Sequence, residues 1–462
     1  MRFFTSTTRW IQLVILFAVT LTTTLCFARD PLHQPFHRES IWNMPIGSDA
    51  EYVHAQIQPA NSWGMTIDED LIVLTPDAPD VDIYRSDAGW NRDKSRCDID
   101  GGVIFRAPIP DDFVVSPDTW DGLTPNSGLA LLMDDGRTIK QTQPFARCYA
   151  GDYATSRYTF KDVDLYGDGY YGAHGATELS AIGGAIRVGE LLPGAGAITH
   201  ALKVNIYAEV NVYYDSQTKG YRWPARDADS YAPDRYGTKG DPVKACLMGA
   251  LLALPADMNL DDLELETEPA RVLAQAFQDY GAYLVDNTAW DVYAIITEWG
   301  PNGRVQDEFK EAWGFDINPR SISTPWAQDM RKIFTNLHII DNNGPESIGG
   351  GGEPRVPLAE PLSETNVQKK SENTTIKFEL LNNYPNPFNP STTIAYELTQ
   401  AADVLLTIHN LNGQHIETLV DARQTKGRYT NQWNPEGLGS GLYVYKLTVD
   451  GNTMLKKCTL LR

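Results

Sequence analysis

Five cysteines in 462 residues are too few and too scattered for a disulfide-stapled scaffold or a zinc motif. With Cys26 in the leading segment, Cys97, Cys148, Cys246 and Cys458 remain. Four cysteines allow three pairings and spacing does not choose between them, though Cys97 and Cys148 share a β-rich region where an oxidising periplasm permits a bond. Basic residues are also scarce: 39 Lys+Arg stand against 60 Asp+Glu, a formal charge of −21. That balance argues against a surface built for nucleic acid or anionic lipid and fits acidic solubility. After the first thirty residues no stretch reaches the roughly 18 apolar residues of a transmembrane helix, so no integral membrane segment is expected in the mature protein. There is no Gly-x-Ser-x-Gly elbow, no His-Glu-x-x-His pair and no Gly-x-x-x-x-Gly-Lys loop. These absences set aside the common serine-hydrolase, zinc-peptidase and phosphate-cradling chemistries.

What is present begins with a leader. Arg2 and Arg9, an apolar run from Ile11 to Leu21 and the exit Cys26-Phe27-Ala28 predict a signal peptide over residues 1–28. A β-rich central domain is expected over 29–340. From 341 to 377 the chain turns to Asn, Gly, Pro, Ser, Glu and Lys with almost no large apolar residue, the composition of a disordered linker. From 378 to 462 period-two strands alternate with turns at Asn412-Gly413, Lys426-Gly427, Gly439-Ser440-Gly441 and Asp450-Gly451, which predicts a small immunoglobulin-like antiparallel β-sandwich.

That last region carries Asn383-Tyr384-Pro385-Asn386-Pro387-Phe388-Asn389-Pro390, then Gly427-Arg428-Tyr429, Trp433, Ser440-Gly441-Leu442-Tyr443 and a basic Lys456-Lys457 end. In these segments it resembles the type A C-terminal sorting domain of type IX secretion. The resemblance implies the secretion machinery as a partner, passage through the periplasm, and a protein secreted or attached at the outer-membrane surface. It also implies that this domain is an address, and that the activity lies in the central domain.

Short β-type runs such as Leu71–Leu74, Gly128–Leu132 and Ala185–Val188 fill the central domain. A helix is predicted from Glu268 to Tyr280 behind Thr267, burying Val272, Leu273 and Phe277, and another from Thr324-Pro325, with Trp326, Met330, Ile333 and Phe334 on one stripe. The fold class read from this pattern is mainly β: a large jelly-roll-like β-sandwich with two or more peripheral helices. The longest run, His200 to Val210, places Lys203, Asn205 and Tyr207 on one face, and such a face suits either water or a hydroxyl-rich ligand. His200 falls on the apolar side and reads as a satisfied core histidine.

Three clusters are candidates for chemistry. Gly172-Ala173-His174-Gly175-Ala176 surrounds His174 with small residues that admit a ligand. Tyr221-Arg222-Trp223-Pro224-Ala225-Arg226-Asp227 offers two guanidiniums to clamp a carboxylated sugar, and Trp223 to stack on a ring. Asp286-Asn287-Thr288-Ala289-Trp290-Asp291, with Glu298 beyond, supplies carboxylates for general acid and base work. Each also has an ordinary structural explanation in turns, caps and rim packing. Asp162, Asp164 and Asp168 alternate with glycines, and calcium is conceivable there although the spacing departs from an EF-hand; no other cofactor is expected. The His174 and Asp286 stretches resemble a group of secreted bacterial proteins, a resemblance that implies no particular reaction.

Together these features suggest an enzyme acting on an extracellular polysaccharide. A lyase would use His174 or Tyr221 as base, with Arg222 or Lys203 facing a uronate carboxylate. A hydrolase would pair two of Asp227, Asp286, Asp291 and Glu298. The alternative is a non-catalytic surface protein that binds glycan or partner cells through the Lys203, Asn205 and Tyr207 face.

Overall fold

The computed structural model describes residues 29–362 and 378–461, apart from residues 92, 117–125, 127, 382, 411–414, 436 and 450–451. The leader, the second half of the expected linker and the Asn412-Gly413 and Asp450-Gly451 turns lie outside the described residues. The chain divides into two compact units at residues 364 and 365.

The mainly β class holds, and the central unit organises its strands in a particular way. They join one 14-stranded sheet running from Tyr52–His54 through His338–Ile340, Leu251–Ala253, Ala282–Asn287, Leu202–Ile206, Tyr293–Gly300, Met65–Val73, Leu129–Leu132, Thr138–Ala146, Ala154–Thr159 and Asp80–Arg85 to Val103–Pro108. Four neighbouring pairs are parallel, a feature a jelly roll lacks: Leu202–Ile206 with Ala282–Asn287, Met65–Val73 with both Tyr293–Gly300 and Leu129–Leu132, and Asp80–Arg85 with Ala154–Thr159. Parallel pairing is stable where both faces are covered, and here they are. One face packs Ile67, Leu202, Val204 and Ile206 against Leu273, Phe277, Met330, Ile333 and Phe334 of two helices. The other packs Ile72, Tyr283, Val285 and Ile296 against Trp42 and Ile182.

Both expected helices form, as Glu268–Asp279 and Pro325–Thr335, and a third, Val305–Trp313, joins them. Thr324 caps the second, accepting from the Ala327 N–H at 3.1 Å. Thr267 does not cap its own helix. Its hydroxyl donates to Asp329 of the neighbouring helix at 2.7 Å, and the Glu266 and Thr267 N–H groups donate to the same carboxylate at 3.0 and 2.7 Å. Cys97 and Cys148 form a disulfide, while Cys246 and Cys458 are buried thiols.

The segment from 341 is not a linker along its first half. Asn342 donates to the carbonyls of Asp49 and Gly350 at 2.9 Å, Arg355 reaches Asp279 at 2.9 Å and Gln278 at 2.8 Å, and Val356 packs on the core. Composition misleads here because Gly349 to Gly352 serve close approach. All four have positive φ, and a Cβ on Gly349 would meet the Pro45 carbonyl oxygen at 2.4 Å.

The paired strands of the C-terminal unit are antiparallel, in a three-stranded sheet (Phe378–Leu380, Thr392–Leu398, Gly427–Trp433) and a four-stranded sheet (His415–Gln424, Ala402–Asn410, Gly441–Val449, Asn452–Leu460), and Phe388 adds an isolated parallel bridge to Leu460. Its core holds Phe388, Tyr396, Trp433 and Tyr445. The Tyr445 hydroxyl donates to the Leu381 carbonyl and accepts from the Asn383 N–H, both at 3.0 Å, and the Asn383 amide donates to Thr392 Oγ1 at 2.9 Å. The Asn-Pro-rich motif is thus a buried anchor at Asn383 and Phe388, with Tyr384 left 81% exposed.

Two predictions follow the packing. Asp329→Ala strips a fully buried carboxylate from three donors, and urea unfolding of the full chain should show the central unit weakened by about 3 kcal/mol. His200 lies within 3.1 Å of both Glu190 oxygens. Burial disfavours both charges, but each charge favours the other more strongly, so His200 is raised above its ordinary 6.5 and Glu190 lowered below its ordinary 4.5. The His200 contribution is fully present below pH 6.5 and is lost as pH rises through the raised value; the Glu190 contribution is present above pH 4.5 and is lost as pH falls. His200→Gln should therefore destabilise more at about pH 6 than at about pH 9 in parallel urea titrations.

Candidate functional site

Alternation along Met65–Val73 puts Asp68 and Asp70 on the same face, opposite Ile67, which packs with the helices. On Leu202–Ile206 the same alternation turns Lys203 and Asn205 away from the helix-packed Leu202, Val204 and Ile206. Asp286 reaches this face by an irregularity. Its strand pairs Val204 with Leu284 and then Asn205 with Asp286, so Val285 is an extra residue, and the bulge brings Asp286 opposite Asn205. His174 closes the group from Tyr171–His174.

All six side chains belong to residues with at most 6% exposure. Asp70 accepts from Lys203 Nζ and meets His174 Nδ1 at 3.2 Å, and Lys203 also donates to the Ser180 carbonyl at 2.7 Å. Asp68 Oδ2 accepts from Asn205 at 3.3 Å and from Asn126 Nδ2 at 3.0 Å. The same Asn126 nitrogen donates to Asp286 Oδ2 at 3.0 Å. Both oxygens lie 3.0 Å from that one nitrogen, so they stand no more than about 6 Å apart. His174 Nε2 and Asn205 Oδ1 are buried without a hydrogen-bond partner.

The electrostatics divide the three carboxylates. Burial works against charge on all of them. For Asp70 the adjacent Lys203 and His174 overturn that penalty and hold it below its ordinary value. For Asp68 burial wins, aided by the Asp70 charge and opposed by His174 and Asn126, and it is pushed up to about 6. Asp286 is raised well above its ordinary 3.8 by burial and then by the charges of Asp229 and Asp68. Burial lowers Lys203, with Asp70 opposing. Groups whose proton affinities are driven apart in one cluster are the ordinary substrate of acid–base catalysis.

The glycines beside His174 have a structural purpose. Gly175 has φ +28, and a Cβ there would stand 1.8 Å from Asp286 Oδ2. A Cβ on Gly184 would meet Trp42 at 2.6 Å and Lys203 Cγ at 2.8 Å.

The structure brings together His174, Lys203, Asn205 and Asp286 from the sequence-predicted residues and disperses the others. Lys203 and Asn205 are not on a solvated sheet face, because loops and the Trp42 segment cover that side of the sheet. Tyr207, bonded to Glu209 at 2.7 Å and Lys239 at 2.8 Å, instead lines a depression of about 340 Å³ with Tyr231, Arg235 and Asn287. Arg222 is committed to Asp341 at 3.0 Å, and Tyr221 packs at the edge of the helix-side core. Trp223 stands edge-on to Tyr170, and Arg226 lies 4.1 Å above the Tyr171 ring. Asp227 is exposed and caps Ala228, Asp291 binds Asn61 at 3.0 Å, and Glu298 forms a buried pair with Arg187 at 2.8 Å. Asp162 and Asp164 are paired with Lys140 and Arg137, and among the described residues no group of three His, Cys, Asp or Glu side chains is arranged to hold a metal ion.

Asp68, Asp70 and Asn126 went unread in the sequence. A signal existed: Asp68-Glu69-Asp70 sits between Met65-Thr66-Ile67 and Leu71-Ile72-Val73-Leu74, so carboxylates interrupt an otherwise apolar strand.

No curated protein matches the chain. Among solved structures, PorZ of Porphyromonas gingivalis, an essential surface component of the type IX secretion system, is 20% identical over 18% of this chain and 11% of its own, with a TM-score of 0.14. The chain thus spans about a tenth of that protein, and the likeness carries no argument about the central unit. Among the described residues no helix is long and apolar enough to cross a membrane. Residues 382–460 match the family described as the secretion system C-terminal sorting domain, and with its two antiparallel sheets and buried Asn-Pro anchor the C-terminal unit is a sorting domain of type IX secretion.

Proposed function

We propose that the exported central unit is a carbohydrate-active enzyme that hydrolyses glycosidic bonds in an extracellular polysaccharide, with Asp286 as proton donor and Asp68 as the ionised partner. The observation that carries this reading is the Asn126 amide held 3.0 Å from each carboxylate. Two oxygens on one nitrogen stand at most about 6 Å apart, which accommodates the carboxylate spacing of about 5–5.5 Å in retaining glycosidases and falls short of the roughly 6.5–9.5 Å that leaves room for an inverting water. Asp286, whose proton is held most tightly, donates to the leaving oxygen as the bond breaks. Asp68 faces the positive charge that develops at the anomeric carbon and forms the glycosyl ester that water then opens. Burial is what chiefly raises Asp68 to about 6, with the Asp70 charge adding to it, and Asp70, held as an anion by Lys203, does not itself exchange a proton.

A second reading, elimination from a uronate polymer, is favoured by one feature: His174 Nε2 has no partner while Nδ1 is held by Asp70. Against it, Lys203 is taken by Asp70 and Ser180 and Arg222 by Asp341, so neither faces a substrate carboxylate. A glycan-binding face of Lys203, Asn205 and Tyr207 is disfavoured because Lys203 and Asn205 are committed to Asp70 and Asp68 while Tyr207 lines a depression without them.

The test is a polysaccharide screen with the purified full chain, following reducing ends together with the ultraviolet absorbance of a new carbon–carbon double bond. Hydrolysis gives reducing ends alone, elimination gives both signals, and retention without either supports a binder. With a cleaved polymer in hand, Asp286→Asn and Asp68→Asn should each lower kcat by about 100-fold or more while the chain stays folded. The pH profile of kcat/KM should be bell-shaped: activity falls below about 6 as Asp68 takes up its proton, and falls at higher pH as Asp286 loses the proton it must give. A profile flat through pH 6 would rule out Asp68 as the ionised partner.

A further inference from the structure

We infer that Trp90 and Tyr158 form a sugar-stacking subsite beside the two carboxylates, built for the apolar face of an uncharged pyranose ring; the inference rests on the hydrolase reading above. The two rings are 43% and 44% exposed and lie nearly parallel, 25° between planes and 6.1 Å between centroids. Aromatic side chains normally gain by burial, and a stacked pair left this open is a surface waiting for a flat, weakly polar partner.

The pair is tied to its surroundings although solvent covers it. Arg157 lies 5.1 Å from the Tyr158 ring centre and donates to the Asp87 carbonyl at 2.6 Å. Gly89, at φ +54, lets the loop pass Arg157 where a Cβ would stand 2.9 Å from its Nη1. The buried Arg96 donates to the Gly89 carbonyl at 2.8 Å, and the next residue, Cys97, is bonded to Cys148. A platform fixed in advance loses little entropy when a ring settles on it.

Its placement ties it to the acids. Trp90 Nε1 donates to Asn126 Oδ1 at 3.2 Å, and the nitrogen of that same amide holds Asp68 and Asp286. One side chain therefore separates the indole edge from the carboxylate pair. A ring stacked on Trp90 and Tyr158 would present its neighbouring glycosidic bond toward Asp286. Arg157 at the rim suits the hydroxyls of such a ring, while the two aromatic faces suit its C–H groups. The sequence offered Trp223 for this task, but Trp223 is edge-packed on Tyr170.

The test uses native gels of the full chain carrying Asp286→Asn, each copolymerised with one soluble neutral polysaccharide: a β-glucan, a xylan, a mannan or an arabinan. At least one should retard the chain, and Trp90→Ala or Tyr158→Ala should weaken that retardation about ten-fold or more, with Trp90→Phe keeping most of it. Both alanine variants alter exposed rings and should melt at the parent temperature, which separates lost binding from lost folding. Unchanged retardation in both alanine variants, or no retardation by any of the four polymers, overturns the platform. If the platform variants lose binding while Asp286→Asn still releases reducing ends, the platform stands and the assignment of Asp286 falls.

Discussion

Lys203 is 1% exposed, and its ammonium reaches the Asp70 carboxylate and the Ser180 carbonyl. A lysine so placed costs several kcal/mol of desolvation, and the cost is met only by an equally buried opposite charge. Asp70 is thereby fixed as an anion, and its charge is in turn one of the forces that lift Asp68. The site is in this sense a chain of consequences from one ion pair. Replace Lys203 by an apolar residue, and Asp70 loses its main counter-charge, His174 keeps a partner with an altered proton affinity, and Asp68 no longer sees a settled neighbour. A network with such dependence demands a rigid frame, which the doubly covered sheet supplies.

That frame explains why half of the site was legible and half was not. His174 and Asp286 stood out because polar residues among glycines and at a strand end break a pattern. Their setting did not, since Asp286 joins the cluster only through the bulge at Val285, and a one-residue shift of register is invisible to alternation counted on a single strand. Lys203 and Asn205 were placed on the correct face, and the error lay in taking a polar face for a wet one. Polar alternation reports which residues share a side; it says nothing about what covers that side. Parallel pairing hid for a related reason, because the neighbours of Met65–Val73 come from residues 129–132 and 293–300, far apart in sequence.

Glycine was the other source of misreading. Gly349 to Gly352 suggested a flexible linker and Gly175 an accessible loop, yet both are positions where a backbone or a carboxylate passes too close for a Cβ. In the C-terminal unit the same ambiguity did not arise. There the Asn-Pro motif, the turn residues and Trp433 agree on one small antiparallel sandwich, and buried Asn383 and Phe388 give the motif its physical content.

Buried polar residues serve the two units differently. In the sorting domain Asn383 Nδ2 donates to Thr392 Oγ1 and the Tyr445 hydroxyl joins the Leu381 carbonyl to the Asn383 N–H, while Asn383 Oδ1 is left without a partner, and none of these groups is ionisable near neutral pH. The central unit keeps Asp68 and Asp286 raised, and leaves His174 Nε2 and Asn205 Oδ1 without partners. Raised carboxylates make the folded state bind more protons than the unfolded one, so folding becomes less favourable as pH climbs from about 4 through their folded values. A fold gains nothing from such an arrangement by itself. On the proposed hydrolase reading, this unmet hydrogen-bonding capacity and unfavourable charge are what the bound substrate would meet.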